Sequence, residues 1–411
     1  VSRNELILPQ HYLARRSFLG GASAAAFTAM LPGVTLAAAP TDKRFVLIIL
    51  RGAMDGLNVV VPYGDRDYAN LRGEIAITRP GEADGAIDLN GFFGLHPALA
   101  EIEPWYKEGA LLPIHAVASP YRDRSHFDGQ DMLENGTLNP RNTESGWLNR
   151  ALAVMGAGGE RIGLSLGQTI PLALRGPAQV ASWAPTTMPE ADGNFLSLVQ
   201  TVYRDDKRLS VALAEGIKAS QTAHDALGTD DMNAGNAGPG AYKGQKILAE
   251  AAGKMLADPN GPRIAVFDAQ GWDTHAGQKG RLAAALGGLA ASLTALRTAL
   301  GPAWKDTVVM MATEFGRTAH ANGTGGTDHG TGTATLLAGG AVAGGKVLGQ
   351  WPGLDEGRLY QGRDLMPTTD LRAVMKTVLR EHLKLPQDRL ESAVFPNSSD
   401  ARPIAGITAS A

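Results

Sequence analysis

Four short apolar runs in this chain are each followed by carboxylates, imidazoles or guanidinium groups, the side chains that hold divalent ions and anions. Residues 45–50 lead to Asp55. Residues 111–117 lead to Ser119, Arg122, Arg124, Ser125, His126 and Asp128. Residues 263–268 lead to Asp273 and His275, and residues 307–312 to Glu314 and Arg317, after which a glycine-rich loop carries Asp328 and His329. The chain has no cysteine, so thiolate ligands and disulfides are excluded. Carboxylates and imidazoles without thiolates suit zinc, manganese or a similar divalent ion. One or two such ions would polarise a phosphoryl or sulfuryl oxygen.

The individual residues carry different weight. Asp273 and His275 are two apart, a spacing that turns both side chains to one side of an extended segment, with Trp272 packing on the other. Glu314 follows six apolar residues and does not read as part of a solvated face. Asp328 and His329 lie between Gly325, Gly326 and Gly330, a setting that fits a metal or anion site better than packing. Asp55 in its glycine-rich turn is either a ligand or an Asx-turn residue. Ser125 is either an attacking hydroxyl or, with Asp128 three residues on, a helix cap. Arg51, Arg122, Arg124 and Arg317 either fork onto an anionic substrate or pair with the carboxylates. His126 at a helix start reads as a hydrogen-bonded histidine rather than a ligand, and His96 before Pro97 as a turn residue.

The elements that must position these groups are legible as patterns. The runs 45–50, 111–117, 263–268 and 307–312 are short, apolar and rich in β-branched residues, which predicts buried strands. Helices are predicted over 97–107, 125–134, 195–219, 242–257, 281–300 and 370–383. Residues 57–95 and 163–193 lack helical periodicity, and 226–241 reads as a surface loop. Buried strands alternating with amphipathic helices predict a doubly wound, mostly parallel α/β sheet with helices on both faces. In such sheets ligands bind beyond the carboxyl ends of the strands, where these polar groups fall.

The amino-terminal segment has its own pattern. Arg15-Arg16-Ser17-Phe18-Leu19 precedes a weakly apolar Gly/Ala-rich stretch that ends in Ala37-Ala38-Ala39. This order of basic pair, apolar stretch and small residues predicts a twin-arginine signal over 1–39, cleaved near residues 37–39, and one domain over 40–411. Pro32 and Gly33 make the stretch a poor membrane-spanning helix, and no stable membrane insertion is expected. A periplasmic or otherwise exported location follows, with the twin-arginine translocase as a transient partner. Formal net charge is −3, without the basic stripe of a nucleic-acid-binding protein.

With these motifs assembled, the chain resembles the exported "domain of unknown function 1501" proteins. The resemblance rests on Leu50-Arg51-Gly52-Ala53-Met54-Asp55-Gly56-Leu57-Asn58, Phe92-Phe93-Gly94-Leu95-His96-Pro97, Arg124-Ser125-His126-Phe127-Asp128, Gly146-Trp147-Leu148-Asn149-Arg150, Gly271-Trp272-Asp273-Thr274-His275, Thr313-Glu314-Phe315-Gly316-Arg317 and Gly326-Thr327-Asp328-His329-Gly330. It implies the alkaline phosphatase and sulfatase superfamily, a doubly wound sheet carrying a bimetal site. On that resemblance Asp273, His275 and His329 would hold one ion, and Asp55 and Glu314 the other. Asp328 would be a ligand or a partner orienting a histidine. Phe315 takes a place where the superfamily has histidine, and Ala118 takes the nucleophile place in Ala118-Ser119-Pro120-Tyr121-Arg122, which therefore cannot form a sulfatase formylglycine. The implied function is an exported metal-dependent hydrolase of phosphate or sulfate esters, with a small anionic ester as substrate. Ser125 would be its nucleophile, and Arg124 or Arg317 its anion holder. The alternative is a non-catalytic, metal-stabilised binding or surface-assembly protein that kept the fold.

Overall fold

The computed structural model describes residues 41–141, 143–156, 162–185, 193–206, 209–210, 213 and 241–409. The expected signal and nearly all of the expected 226–241 loop lie outside them. Two compact units are distinguished: Leu36–Thr187 with Ala226–Ala411, and Val1–Thr35 with Met188–Asp225. In the smaller unit the helix Gly193–Tyr203 covers the start of the expected 195–219 helix. Every residue singled out for chemistry belongs to the larger unit.

The larger unit is built on an eight-stranded sheet of order β11-β5-β10-β9-β1-β8-β6-β7. Its strands are β1 (Arg44–Leu50), β5 (Leu111–Ala118), β6 (Gly163–Leu166), β7 (Val180–Trp183), β8 (Ile264–Ala269), β9 (Thr307–Ala312), β10 (Thr333–Ala338) and β11 (Thr369–Asp370). A small second sheet joins β2 (Val60–Val61), β3 (Ile87–Asp88) and β4 (Gly94–Leu95) within the loop-rich 57–95 region. In the main sheet β9, β1, β8, β6 and β7 run parallel, while β10 is antiparallel to both β9 and β5. The sheet is thus mostly parallel, with β10 alone reversed.

All four predicted strands form. The sequence reading missed β6 and β7, where it placed a polar segment, and β10, which lies between β5 and β9. β6 and β7 have four residues each, too short to show a period. β10 begins with Thr333, Ala334 and Thr335 rather than an apolar run. The predicted 97–107 helix is a 3-10 turn, Pro97–Ile102, followed by a short α-helix, Glu103–Lys107.

β1 is buried along its whole length, as expected of a strand covered on both faces. Phe45, Leu47 and Ile49 share a core with Trp147, Leu148, Val374 and Leu379, while Val46, Ile48 and Leu50 are fully buried on the other side. The helix Gln278–Leu300 is long and apolar enough to cross a membrane, but its Leu282, Leu286, Leu289, Leu293 and Leu296 are buried in this fold. It packs on the helix Ala241–Ala257. A Cβ at Gly253 would come 2.5 Å from the Ala299 Cβ, so only glycine allows this approach.

Register aligns the strand ends. Ile49 pairs with both Asp268 and Ala312, so β1, β8 and β9 finish at one level and their turns share one edge. The reversal of β10 matters for the same reason: its amino end lies at that edge, and Asp328 and His329 immediately precede it.

Three further histidines, His96, His115 and His382, are buried. His115 donates through Nε2 to the Val60 carbonyl at 2.9 Å and accepts the Ala116 amide at Nδ1, 2.9 Å away. That pair of contacts fits only the neutral ring with its proton on Nε2, since a proton on Nδ1 would face an amide hydrogen. Burial pushes His115, His96 and His382 down to about 4 from an ordinary 6.5. Between those values the unfolded chain binds protons that the folded chain does not, so stability falls as pH drops from 6.5 to 4. The loss is on the order of 3 kcal/mol per histidine. The urea midpoint should fall steeply over this window, and by NMR the His115 ring should stay neutral at pH 5; titration of His115 near 6.5 would contradict the assignment.

Candidate metal centre

The three strand turns at the shared edge deliver a compact cluster. His126 opens the helix His126–Asn135 beyond β5, Asp273 and His275 follow β8, and His329 precedes β10. His126, Asp273 and His329 bring their ligand atoms within 4.8 Å of one another. The Asp273 carboxylate is the hub: its Oδ1 lies 3.1 Å from His275 Nε2 and 3.4 Å from His329 Nε2, and its Oδ2 lies 3.6 Å from His126 Nε2. His275 Nε2 and His329 Nε2 are 2.9 Å apart.

Each imidazole is held from behind. His126 Nδ1 donates to Glu314 Oε1 at 2.7 Å, His329 Nδ1 to the Arg124 carbonyl at 3.0 Å, and His275 Nδ1 to Asp328 Oδ1 at 3.3 Å. A proton committed at Nδ1 leaves Nε2 with a lone pair, so all three rings offer acceptors toward Asp273. With both rings neutral and protonated at Nδ1, the two Nε2 lone pairs would face each other at 2.9 Å, a contact that either a proton on one ring or a shared cation makes favourable. The His126 Nε2 atom is itself shielded from solvent and has no hydrogen-bond partner among the described residues. His275 adds an Nε2 that lies 3.1 Å from Asp273 Oδ1 and 2.9 Å from His329 Nε2, beside the group formed by His126, Asp273 and His329. Three imidazoles and a carboxylate with Nδ1 partners are a donor set that fits zinc or a similar divalent ion.

Several expected ligands take other places. Glu314 is fully buried and faces His126 Nδ1 rather than the cluster centre. Its Oε1 also accepts the Gly52 amide at 2.9 Å and Gln130 Nε2 at 3.2 Å, and its Oε2 the Thr313 hydroxyl at 2.8 Å. Burial alone would raise this carboxyl, but bonds from His126, its own amide, Gln130 and Thr313 hold it below its ordinary value. Gly52 has φ +121°, and a Cβ there would lie 2.5 Å from the Asp273 amide, so only glycine brings this donor so close to the turn after β8. Asp328 orients His275 and receives Asn322 Nδ2 at 3.1 Å. Asp55 is not brought into the cluster: Arg72 and Gln278 both bind its Oδ2, and its Oδ1 accepts the Leu57 amide at 3.2 Å. Arg72 is completely buried, with further bonds to Asn58 and the Thr318 and Ala319 carbonyls. The Arg72 guanidinium pairs with the Asp55 carboxylate.

The arginines divide likewise. The Arg124 side chain forks onto Asp364 at 3.0 and 2.8 Å and reaches Gln361 at 2.7 Å, so it is committed away from any anion. Arg317 is buried, with Nη1 in an ion pair 3.0 Å from Asp273 Oδ1, while none of its three guanidinium nitrogens makes a well-aligned hydrogen bond among the described residues. Ser125 is the N-cap residue by backbone geometry, but its hydroxyl makes no capping bond. Asp128, its expected capping partner, pairs with Arg141. Phe315 packs on both His126 and His329, with ring centroids 5.1 and 5.2 Å apart, so it braces the imidazoles.

The cluster's charges push its groups apart. The Glu314 bond raises His126 above its ordinary value against the effect of burial. Burial and the neighbouring His126 charge lower His329. Asp273 is raised by burial but held lower overall by Arg317 and the histidines. His126 is the residue sequence reasoning passed over. The available signal was its place after β5, equivalent to that of Asp273 after β8.

A family model described as "Protein of unknown function (DUF1501)" matches residues 105–394. No curated protein matches. Among solved structures the chain is similar to the phosphonate monoester hydrolase of Agrobacterium radiobacter, at 12% identity and TM-score 0.35, covering 84% of this chain and 74% of that one. It is also similar to the lipoteichoic acid synthase LtaP from Listeria monocytogenes, at 9% identity and TM-score 0.34, covering 80% and 72%. A third similarity is to the C-terminal periplasmic domain of EcEptC from Escherichia coli, solved with Zn, at 10% identity and TM-score 0.34, covering 75% and 77%. At these identities nothing of their activities transfers to this chain.

The arrangement behind the imidazoles sets an expectation for variants. Glu314→Gln removes the charge that holds the His126 proton at Nδ1 and should weaken zinc binding about 10–100-fold in competition titrations. Gly326→Ala should weaken it as well, because a Cβ there would lie 2.3 Å from the His275 carbonyl and push the His329 loop off its seat. Wild-type affinity in both variants would contradict the reading.

Proposed function

The chain belongs to the DUF1501 family, and we propose that it is a metal-dependent hydrolase of phosphate or sulfate esters that works outside the cytoplasm. The observation that carries this reading is the meeting, around Asp273, of an unpartnered His126 Nε2 and an Arg317 guanidinium with unspent donors. His126, Asp273, His275 and His329 would hold a divalent ion, which supplies Lewis acidity toward an ester oxygen when bound. The twin-arginine pattern in residues 15–19 supports export of the folded chain.

The protein groups then divide the work. Arg317 offers Nε and Nη2 to the substrate's anionic oxygens in a site sheltered from water, where a charge-assisted bond is strong. Ser125 adjoins His126 at the start of a ten-residue helix, with its hydroxyl making no capping bond, and would supply the attacking oxygen: its proton passes to water as the ester's bond to phosphorus or sulfur breaks and the alcohol leaves, and water then hydrolyses the seryl ester. Glu314 keeps the His126 Nδ1 proton in place throughout.

Purified protein supplied with zinc or manganese should hydrolyse at least one member of a phosphate and sulfate ester panel. Ser125→Ala should lower kcat about 10²-fold or more while leaving metal content intact, and Arg317→Gln should raise KM. Metal retention with no turnover across the panel would favour a binding protein instead.

A further inference from the structure

Arg124 is a non-glycine residue at φ +59°, a left-handed conformation that L-residues rarely adopt. A strained backbone persists where its surroundings hold it, and here those surroundings converge on Asp364. Asp364 is fully buried, between β10 and β11 in sequence. Its Oδ2 accepts Arg124 Nε at 3.0 Å, Arg124 Nη2 at 2.8 Å and the Thr331 hydroxyl at 2.8 Å. Its backbone pairs with Thr318, next to Arg317. The neighbouring Arg363 donates to the His329 carbonyl, and the Gly332 amide bonds the Leu365 carbonyl at 3.2 Å. Asp364 therefore bonds Thr318, the residue after Arg317, and Thr331, two residues beyond His329, while its neighbour Arg363 holds the His329 carbonyl.

The left-handed turn has one visible consequence at the site. It directs the Arg124 carbonyl to His329 Nδ1, and that bond decides which nitrogen of His329 carries the proton. We propose that Asp364 is a positioning residue: by forking Arg124 it holds the carbonyl that keeps the His329 Nε2 lone pair aimed at Asp273 and His275. This rests on reading the cluster as a metal centre, but the tautomer of His329 is observable without any ion. Among the described residues the Asp364 Oδ1 atom has no hydrogen bond, with Arg363 Nε 3.7 Å away, so the side chain's hydrogen bonds run through Oδ2.

The experiment pairs Asp364→Ala with Arg124→Ala, which cuts the link from its less buried end if the first variant does not fold. Long-range proton–nitrogen NMR of the metal-free protein reads the His329 tautomer, and cobalt(II) absorption titration reads the ion. In the wild type His329 should carry its proton on Nδ1 only. Both variants should show mixed tautomers and cobalt binding weakened about 10–100-fold. Arg124→Lys, a cation without the fork, should recover binding only in part. A wild-type His329 tautomer in Arg124→Ala would overturn the proposal. Failure of the wild type to bind cobalt would instead overturn the metal reading and leave the tautomer measurement to decide the relay.

Discussion

An imidazole offers a lone pair in one direction only when its other nitrogen is tied down, and this constraint organises the functional edge of the molecule. Glu314, the Arg124 carbonyl and Asp328 each take one Nδ1 proton. Each of those acceptors is placed by a different part of the fold: the turn after β9, a strained turn after β5, and the glycine-rich loop before β10. The sheet's near-uniform strand direction, with only β10 reversed, brings the three supports to one place. Had β10 run the other way, His329 would precede it at the opposite edge.

The supports are expensive by themselves. A buried carboxylate such as Glu314 or Asp364 is tolerated only with several donors on its oxygens, and both have them. The Asp55–Arg72 pair is satisfied in the same way and stabilises the first turn after β1. Arg317 is the exception. Its guanidinium is buried beside a single carboxylate with donors left over, and His126 Nε2 is left over beside the same carboxylate. Unmet polar groups of opposite appetite, one seeking an anion and the other a cation, mark where a complete site would gain most.

Much of this was legible in the sequence because it follows from burial. The strands β1, β5, β8 and β9 are largely apolar runs, and the strand-end position of Asp273 and His275 follows from parallel topology, whereas that of His329 depends on the reversed strand β10. β10 was not legible, because its threonine-rich start and antiparallel pairing leave no apolar period. The roles within the site divided less cleanly. Asp55 and Glu314 have the residue type of ligands, yet what they touch depends on Arg72, Gln278 and His126, which are distant in sequence. His126 was underrated for the converse reason: a histidine at a helix start looks ordinary until a buried Glu314 is found behind it.

The central claim is that four side chains, His126, Asp273, His275 and His329, hold one ion, with Arg72 serving Asp55 in place of a second. Elemental analysis of the full chain, purified without chelator and reconstituted with zinc, tests it most directly. The account predicts one equivalent per chain, lost in His126→Ala and retained in Asp55→Asn. Two equivalents, or one equivalent that survives His126→Ala and disappears with Asp55→Asn, would contradict it.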